Sequence, residues 1–155
     1  MQKERNSDTH PITIDFLNYK WAGSSAQLAI TFAPGKKQEY AMTGSWNRDL
    51  EKDLDRIANY YKINTLVSMV ELEEMRELSI EAEFEECKKR GIETFHFPVE
   101  DNNIPSDVDG FIKLTKEIVD NHLRKDRSVV VHCKGGLGRA PTLVLACLLY
   151  SKVSF

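Results

Sequence analysis

The sequence predicts an α/β fold, in which a central, twisted and mainly parallel sheet carries helices on both faces. The first observation behind this prediction is the alternation of short apolar runs with longer segments of helical period. The second is size, because 155 residues, of which 41% are hydrophobic, are enough for one domain with a buried core. We therefore expect a single domain over residues 10–155, preceded by a flexible N-terminus over residues 1–9.

The N-terminal third is predicted to form two strands. Apolar and polar residues alternate in 12–16 and again in 28–32, which is the period of a half-buried strand. The polar segment between them is typical of a turn, so we expect a small N-terminal hairpin. The sequence Pro34-Gly35-Lys36-Lys37 ends the second strand. Its two lysines are interpreted as solvated loop charges, and a functional basic patch is the alternative.

The middle of the chain alternates helices and strands. An apolar stripe of helical spacing follows the capping residues 46–49 and extends to residue 61, and residues 65–70 form a short buried strand. The acidic stretch 71–86 carries eight glutamates and is predicted to form two short helices whose glutamates lie on a solvated face. Residues 92–97 then form another strand.

The C-terminal third combines a polar loop, two helices and a strand. The loop is bracketed by Pro98 and Pro105 and leads into an amphipathic helix that Asp107 is expected to cap. The apolar run 129–131 is a buried strand, and residues 142–149 are apolar on all sides and therefore form a buried helix. Because ligands bind at the carboxyl ends of parallel strands, the segments after these strands are candidates for a site.

A glycine-rich turn connects the last strand to the last helix. It contains no proline, so each of its backbone N–H groups can point towards one anion. Its three glycines tolerate the positive φ that a tight ring requires. The positive end of the following helix adds to this field. The predicted phosphate-binding residues are Lys134, Gly135, Gly136, Leu137, Gly138 and Arg139.

Cys133 and Arg139 occupy the two ends of this turn. The donors and the helix dipole around Cys133 stabilise a thiolate, and activated cysteines of this kind have pKa values of roughly 3.5–7.5. Such a thiolate is a nucleophile at neutral pH. The planar fork of Arg139 can bind two phosphate oxygens, which a lysine cannot do with the same geometry. The alternative is a buried cysteine in an ordinary strand-to-helix turn of a Rossmann-like fragment.

The arrangement of His132, Cys133, five intervening residues and Arg139 resembles the HCxxGxxR phosphate loop of the cysteine-dependent protein tyrosine and dual-specificity phosphatases. The string HCKGGLGR is especially similar to the loop of kinase-associated phosphatases, and its continuation Ala140-Pro141 is more similar to that of the phosphatases of regenerating liver. The resemblance implies a protein tyrosine phosphatase-like fold. It also implies hydrolysis of phosphomonoesters through a phosphocysteine intermediate.

Asp101 is the predicted general acid, which would protonate the leaving oxygen and accelerate the reaction by roughly 10²–10⁴-fold. Its loop leaves a strand end, as the cysteine turn does, and these ends share one edge of a parallel sheet. The segment PVEDNNIP also resembles the PIADGGTP-type acid loop of kinase-associated phosphatases. Asp101 would then act as the base for the attacking water. Glu100 and Asp107 are its rivals, and no metal ion or cofactor is expected.

Residues next to the turn are given supporting roles. His132 is predicted to orient the loop by hydrogen bonding, and a packed strand histidine is the alternative. Many of the resembling phosphatases have Ser or Thr after the arginine, where this chain has Ala140. Phosphocysteine breakdown is therefore predicted to be slow, and Thr142 is the nearest substitute hydroxyl. Lys134 is interpreted as solvent-facing, and a preference for multiply charged substrates is the alternative.

The two remaining cysteines are interpreted separately. The three cysteines of the chain have no metal-ligand spacing, which fits a reducing compartment. Cys87 is a candidate redox partner of Cys133, and a disulfide between them requires Cα atoms within about 7 Å. Cys147 lies in the apolar helix and is predicted to be a small core residue.

Composition restricts the expected partners and location. The net charge of -3 gives no general basic field for nucleic acid or an anionic membrane, and we expect neither as a partner. No apolar run approaches the roughly 18 residues of a membrane span, and the start lacks the apolar centre of a signal peptide. We therefore expect a soluble, cytoplasmic protein. Its expected substrate is a phosphorylated protein.

Two further functions stay open. One is a catalytically weak, pseudophosphatase-like module that binds a phosphorylated partner. The other is a phosphatase for phosphoinositides or RNA 5′-phosphates that uses the same residues. The resembling families usually continue with further helices, so part of the covering layer is expected to be missing, swapped or truncated after Phe155. The sequence makes no prediction of the oligomeric state.

Overall fold

The computed structural model describes residues 4–41 and 44–152 of the chain, and a five-stranded sheet forms its centre. The strands of the described residues are β1 (Asp15–Phe16), β2 (Leu28–Thr31), β3 (Lys37–Ala41), β4 (Gly44–Asn47), β5 (Thr65–Ser68), β6 (Glu93–His96) and β7 (Val129–His132). The central sheet has the order β1-β2-β7-β5-β6. Strand β1 is antiparallel to β2, and the other neighbours are parallel, which confirms the predicted mainly parallel sheet.

Helices cover both faces of this sheet, as predicted. They are α1 (Leu50–Asp55), α2 (Leu72–Glu77), α3 (Glu83–Lys89), α4 (Val108–Asn121) and α5 (Arg139–Lys152). One core cluster packs α4 and α5 against Val129 and Val131 of β7, and a second packs α1 and α3 against Val130. Successive strand residues point to opposite faces, so β7 contributes to both cores. In the described part of the chain, no helix has the length and apolar content of a membrane-crossing segment.

Two helical segments depart from the predicted geometry. The helix expected to extend to residue 61 leaves α geometry after Asp55 and continues as a wider π-helical turn over Arg56–Tyr60. Helix α4 ends at Asn121 and is followed by a short 3-10 turn over Leu123–Lys125. Both departures lie at helix ends, where local hydrogen bonds change most easily.

Two hairpins form in the N-terminal third of the chain, the first within the central sheet and the second as a separate sheet. Strands β1 and β2 form the expected one, although β1 has only 2 residues. Strands β3 and β4 form a separate antiparallel hairpin that the sequence did not predict. No long alternating pattern marks these residues, because β4 has 4 residues and begins with a glycine. The sequence therefore predicts only a loop and a helix cap there.

Residues 4–9, part of the N-terminus predicted to be flexible over residues 1–9, contact the second hairpin and helix α1. The backbone of Arg5 pairs with β4 through hydrogen bonds of 3.0 and 2.8 Å. Its guanidinium lies 4.1 Å from the centroid of the Trp46 ring. The hydroxyl of Ser7 donates to Asp53 at 2.8 Å. A polar segment can gain such partners only from distant parts of the chain, so its composition alone misleads.

Four segments that follow parallel strands meet at one edge of the sheet. Lys36 lies after β2, helix α2 after β5, Asp101 after β6 and Cys133 after β7. Because these four strands are parallel, their carboxyl ends share this edge. The candidate site is built from these segments.

Candidate active site

Cys133 lies directly after β7, at the base of the glycine-rich turn. Its side chain is buried, and the backbone N–H of Gly136 donates to its Sγ atom at 3.2 Å. One amide of the turn therefore already points at the sulfur. The remaining predicted cradle residues fill the turn between β7 and α5, and Leu137 at its tip is 91% exposed. The turn opens to solvent on the side away from the sheet.

Only one glycine of the turn has the positive φ that was expected of all three. Gly136 has a φ of 77°, whereas Gly135 and Gly138 do not have positive φ. A Cβ atom at Gly136 would also lie 3.0 Å from the carbonyl oxygen of Thr31 in β2. The turn concentrates its unusual backbone geometry at the residue that approaches β2, so the other two glycines need no left-handed conformation.

Arg139 begins α5 and is held by a carboxylate that the sequence did not assign to the site. Its Nη1 and Nη2 atoms donate to the two carboxylate oxygens of Glu74 in α2, at 2.7 and 2.9 Å. Nη1 also donates to the carbonyl oxygen of Val99 at 2.8 Å. Among the described residues, no hydrogen bond uses Nε. Nε is therefore available for an oxygen of a phosphate.

The pKa of Glu74 reflects this pairing. Burial alone would raise it, but hydrogen bonds from Arg139 and from the Glu71 backbone, together with the charge of Arg139, hold it below its usual value. Glu74 therefore remains a carboxylate at neutral pH. A fixed negative charge on one side of the guanidinium orients it and leaves its opposite edge to the site.

Asp101 reaches the same guanidinium. Its Oδ1 atom lies 3.3 Å from Nη2 of Arg139, and its side chain is 51% exposed. The structure thus brings Asp101 and Arg139 together, and the charge of Arg139 also interacts with Cys133. Of the two rivals, Glu100 is exposed and has no ion pair with Arg139 among the described residues, and Asp107 accepts from the N–H of Gly110 as the N-cap of α4.

His132 is fully buried beneath the turn, between the backbone of Cys133 and Glu83. Glu83 is the second carboxylate that the sequence did not assign to the site. Its Nδ1 atom lies 3.0 Å from the carbonyl oxygen of Cys133, and its Nε2 atom lies 2.5 Å from Oε1 of Glu83. Burial alone would lower the pKa of His132, but the Glu83 carboxylate outweighs burial and raises it. A protonated His132 donates from both nitrogens, so it links α3 to the backbone of Cys133.

Thr142 and Cys87 are not brought to the sulfur of Cys133. The Oγ1 atom of Thr142 donates to the carbonyl oxygen of Gly138 at 3.0 Å, which engages it with the turn backbone. Cys87 belongs to the core cluster on the α1 and α3 face, whereas Cys133 belongs to the α4 and α5 cluster. The sheet separates the two thiols, so the predicted redox pair is not assembled. Burial raises the pKa of both Cys87 and Cys147.

Sequence reasoning missed Glu74 and Glu83 as parts of this site. Both lie in the acidic stretch 71–86, which was predicted to be a uniform solvated face. The one available signal was a sequence pattern in which Glu83, Phe84 and Cys87 share a helical face, which marks Glu83 as inward. For Glu74 no such signal exists, because its partner lies 65 residues away. No group of three or more potential metal ligands occurs in the described ranges.

A family model and several curated relatives match the chain. The model Tc-R-P, described as a polymorphic toxin system DSP-PTPase phosphatase, matches residues 42–152. The chain therefore belongs to the cysteine-dependent, dual-specificity type of protein tyrosine phosphatases. Human cyclin-dependent kinase inhibitor 3 is 29% identical over 141 residues, which cover 90% of this chain and 61% of the human protein. The mouse protein of the same name is 27% identical over 139 residues. The chain thus spans about three fifths of the length of these relatives.

Solved structures share the fold. Kinase-associated phosphatase, with its catalytic-site cysteine replaced by serine, superposes with a TM-score of 0.80 at 24% identity, over 93% of this chain and 78% of that one. The active form of Tk-PTP superposes with a TM-score of 0.66 at 27% identity, over 94% and 78%. These matches confirm the protein tyrosine phosphatase-like fold and the resemblance that the turn carries.

Proposed function

We propose that this protein hydrolyses phosphomonoesters through a phosphocysteine intermediate, with Cys133 as nucleophile, Asp101 as general acid and base, and Arg139 as the phosphate-binding cation. The observation that carries the proposal is the turn itself. A buried Cys133 sulfur accepts from the Gly136 amide, and Arg139 closes the far end of the same turn. Asp101 lies 3.3 Å from Nη2 of Arg139, and this contact supports its proposed role as the acid.

The proposed reaction has two steps. The Cys133 thiolate attacks phosphorus, the S–P bond forms, and the P–O ester bond breaks while Asp101 gives its proton to the leaving oxygen. Water then attacks the phosphocysteine, Asp101 takes a proton from it, and the S–P bond breaks to return the thiolate and release inorganic phosphate. The turn amides from Lys134 to Arg139 and the guanidinium neutralise charge on the phosphoryl oxygens throughout.

The expected substrate is a phosphorylated protein. This part of the proposal rests on the family and on the relative whose name is kinase-associated phosphatase. The exposed tip of the turn at Leu137 supports a substrate that approaches from a surface rather than one enclosed in a cavity. We also propose a cytoplasmic location, which is the one that the composition of the sequence predicts. The proposed domain covers residues 10–155.

Substitution of the nucleophile tests the mechanism. Cys133→Ser should abolish turnover of an aryl phosphate such as p-nitrophenyl phosphate and retain binding of inorganic phosphate, because the cradle and Arg139 are unchanged. Asp101→Ala should reduce kcat by roughly 10²–10⁴-fold for alkyl esters with poor leaving groups, and by less for p-nitrophenyl phosphate. Appreciable turnover by the Cys133→Ser protein would refute the phosphocysteine route.

A catalytically weak binding module is the second candidate, and one observation favours it. The chain has Ala140 after the arginine, and the Thr142 hydroxyl donates to Gly138 rather than to the sulfur. Ala140 has no hydroxyl and the hydroxyl of Thr142 is engaged by Gly138, so neither position directs a hydroxyl at the departing thiolate. Slow phosphocysteine breakdown predicts a burst of p-nitrophenol equal to the enzyme concentration, followed by a slower steady rate. A linear trace would show that breakdown is not limiting.

A further inference from the structure

Lys36 is a buried cation that the proposed mechanism does not use. It follows Gly35, whose φ of 72° turns the chain after β2 and brings Lys36 under the glycine-rich turn. The residue is only 5% exposed. Its Nζ atom lies 3.4 Å from the carbonyl oxygen of Lys134, which also accepts from the N–H of Ala33 at 3.1 Å. The segment after β2 thus supports the residue that follows Cys133.

Aromatic rings enclose the rest of the ammonium group. Its nitrogen lies 4.8 Å from the centroid of the Phe32 ring and 4.6 Å from that of Trp46. Cation–π contacts of this kind stabilise a buried cation only partly. They do not replace the hydration and the counter-ion that a buried charge requires.

The charges around Lys36 are almost all positive. Arg5 faces it from the N-terminal segment, Arg48 from the segment after β4, and Lys134 from the glycine-rich turn. Burial and these cations lower the pKa of Lys36 to about 8, and only Cys133 acts in the opposite direction. In the described residues, no carboxylate lies within 4.0 Å of its nitrogen, which is the distance of an ion pair.

The other buried cations of the fold have carboxylate partners. Arg48 pairs with Asp53 at 2.8 Å, and Arg139 pairs with Glu74 at 2.7 Å. An ammonium group that is buried without such a partner costs stability, since nothing local compensates its charge. The anion that balances Lys36 is therefore expected on the open side of the turn, where the thiolate and a bound phosphate lie.

We propose that Lys36 is a positioning residue of the proposed active site, whose ammonium supports the Lys134 carbonyl and supplies positive charge behind the Cys133 thiolate and the substrate phosphate. This inference rests on the proposed function and deepens it. Lys36 acts through the turn and through space, so it needs no contact with the substrate. Loss of its proton at alkaline pH would remove one positive charge from the site.

The test compares Lys36→Met with Lys37→Met. Lys37 is the adjacent lysine, but it is exposed and its Nζ atom donates to the Arg48 carbonyl oxygen, away from the turn. Lys36→Met should reduce kcat/KM for p-nitrophenyl phosphate about tenfold and weaken competitive inhibition by inorganic phosphate by a similar factor. Lys37→Met should change both by less than twofold. Equal effects of the two substitutions would overturn the inference.

Stability and pH dependence separate this role from a structural one. Lys36→Met removes an uncompensated buried charge, so its urea midpoint should equal or exceed that of the wild type. A merely structural lysine would lower the midpoint and leave the activity of the folded fraction unchanged. The wild type should also lose kcat/KM as pH rises through about 8, which follows the Lys36 pKa. Lys36→Arg should restore activity and move this alkaline limb upwards by at least one pH unit, because a guanidinium keeps its proton.

The rate of Cys133 alkylation tests the role of Lys36 separately from the proposed function. Iodoacetamide should modify Cys133, the proposed thiolate, whereas burial raises the pKa of Cys87 and Cys147 and keeps them as unreactive thiols. The Cys133→Ser protein serves as the blank. Near pH 7, Cys133 should be alkylated more slowly in Lys36→Met than in Lys37→Met. Inorganic phosphate should protect Cys133 at a lower concentration in Lys37→Met than in Lys36→Met. Absence of Cys133-dependent turnover in the wild type would refute the proposed function alone. Normal turnover with equal alkylation and protection in both variants would refute the role of Lys36 alone.

Discussion

Two buried arginine–carboxylate pairs of this fold use the same chemistry in different ways. In the pair of Arg48 and Asp53, both carboxylate oxygens accept from the guanidinium, at 3.0 and 2.8 Å. Asp53 also accepts from Ser7 and from the N–H of Gly35, each at 2.8 Å. In the pair of Arg139 and Glu74, Nε of the guanidinium takes part in no hydrogen bond among the described residues, and Nη2 also lies 3.3 Å from Asp101. The Asp53 carboxylate accepts four hydrogen bonds and connects segments from a buried position, whereas the Arg139 guanidinium lies beside an opening where it can bind a ligand.

The positions of the two pairs agree with this difference. Asp53 links the N-terminal segment, the turn after β2 and helix α1, and its side chain is 1% exposed. Glu74 and Arg139 lie at the carboxyl edge of the sheet, where helix α2 meets the start of α5. The first pair should therefore affect stability most, and the second should affect activity most. Two substitutions test this contrast, and a third extends it to the buried pair of His132 and Glu83.

Asp53→Ala should have the largest effect. It leaves the Arg48 charge buried without compensation and removes the acceptor of Gly35 and Ser7, so the free energy of unfolding should fall by about 3–5 kcal/mol. Urea denaturation followed by tryptophan fluorescence measures this change. A loss below 1 kcal/mol would show that Asp53 is not the structural partner inferred from its contacts.

Glu74→Gln should mainly affect catalysis. The amide can keep one hydrogen bond to Arg139 but lacks the charge that orients the guanidinium, so kcat/KM for p-nitrophenyl phosphate should fall about tenfold, which corresponds to about 1.4 kcal/mol. The matched control is Glu73→Gln, because Glu73 lies next in the same helix and its side chain is 74% exposed. The contrast would be wrong if Glu73→Gln reduced activity as much as Glu74→Gln.

Glu83→Gln should have the smallest effect, and that effect should depend on pH. Glu83 raises the pKa of His132, and a raised histidine pKa adds stability that is complete below the unfolded value of about 6.5. This stability is lost as pH rises through the folded pKa. The wild type should therefore exceed Glu83→Gln in unfolding free energy by about 1 kcal/mol at pH 6, with a smaller difference at pH 9. Urea titrations at both values measure it, and the exposed Glu85→Gln is the control. A difference that grows with pH would contradict the assignment.

The phosphate turn could be predicted because its chemistry is contiguous. His132, Cys133 and Arg139 lie within 8 residues, and the glycines between them and the helix that follows indicate a phosphate-binding turn. The strands and helices that position the turn could also be predicted, since each has either a clear period or a short apolar run bounded by polar residues. The structure supports these elements with only small shifts of their ends.

The buried charges could not be predicted in the same way. Glu83 lies 49 residues from His132, and Lys36 lies 98 residues from Lys134. The helical face that Glu83 shares with Cys87 is a weak local signal, and nothing local distinguishes Lys36 from a solvated lysine. Lys36 and Lys37 are adjacent and identical in type, yet one is buried and the other is exposed. The difference arises from the turn at Gly35 and from packing between strands that are distant in sequence.

The hydrogen bonds to the Lys134 carbonyl have a consequence for how much chain the phosphatase unit requires. The family match begins at residue 42, but the donors Ala33 and Lys36 precede it, as does β2, the neighbour of β7 in the sheet. A chain that began at residue 42 would leave β7 on an open edge and its Lys134 carbonyl without either donor. The smallest unit that folds around this turn therefore extends beyond the matched region, back to β2.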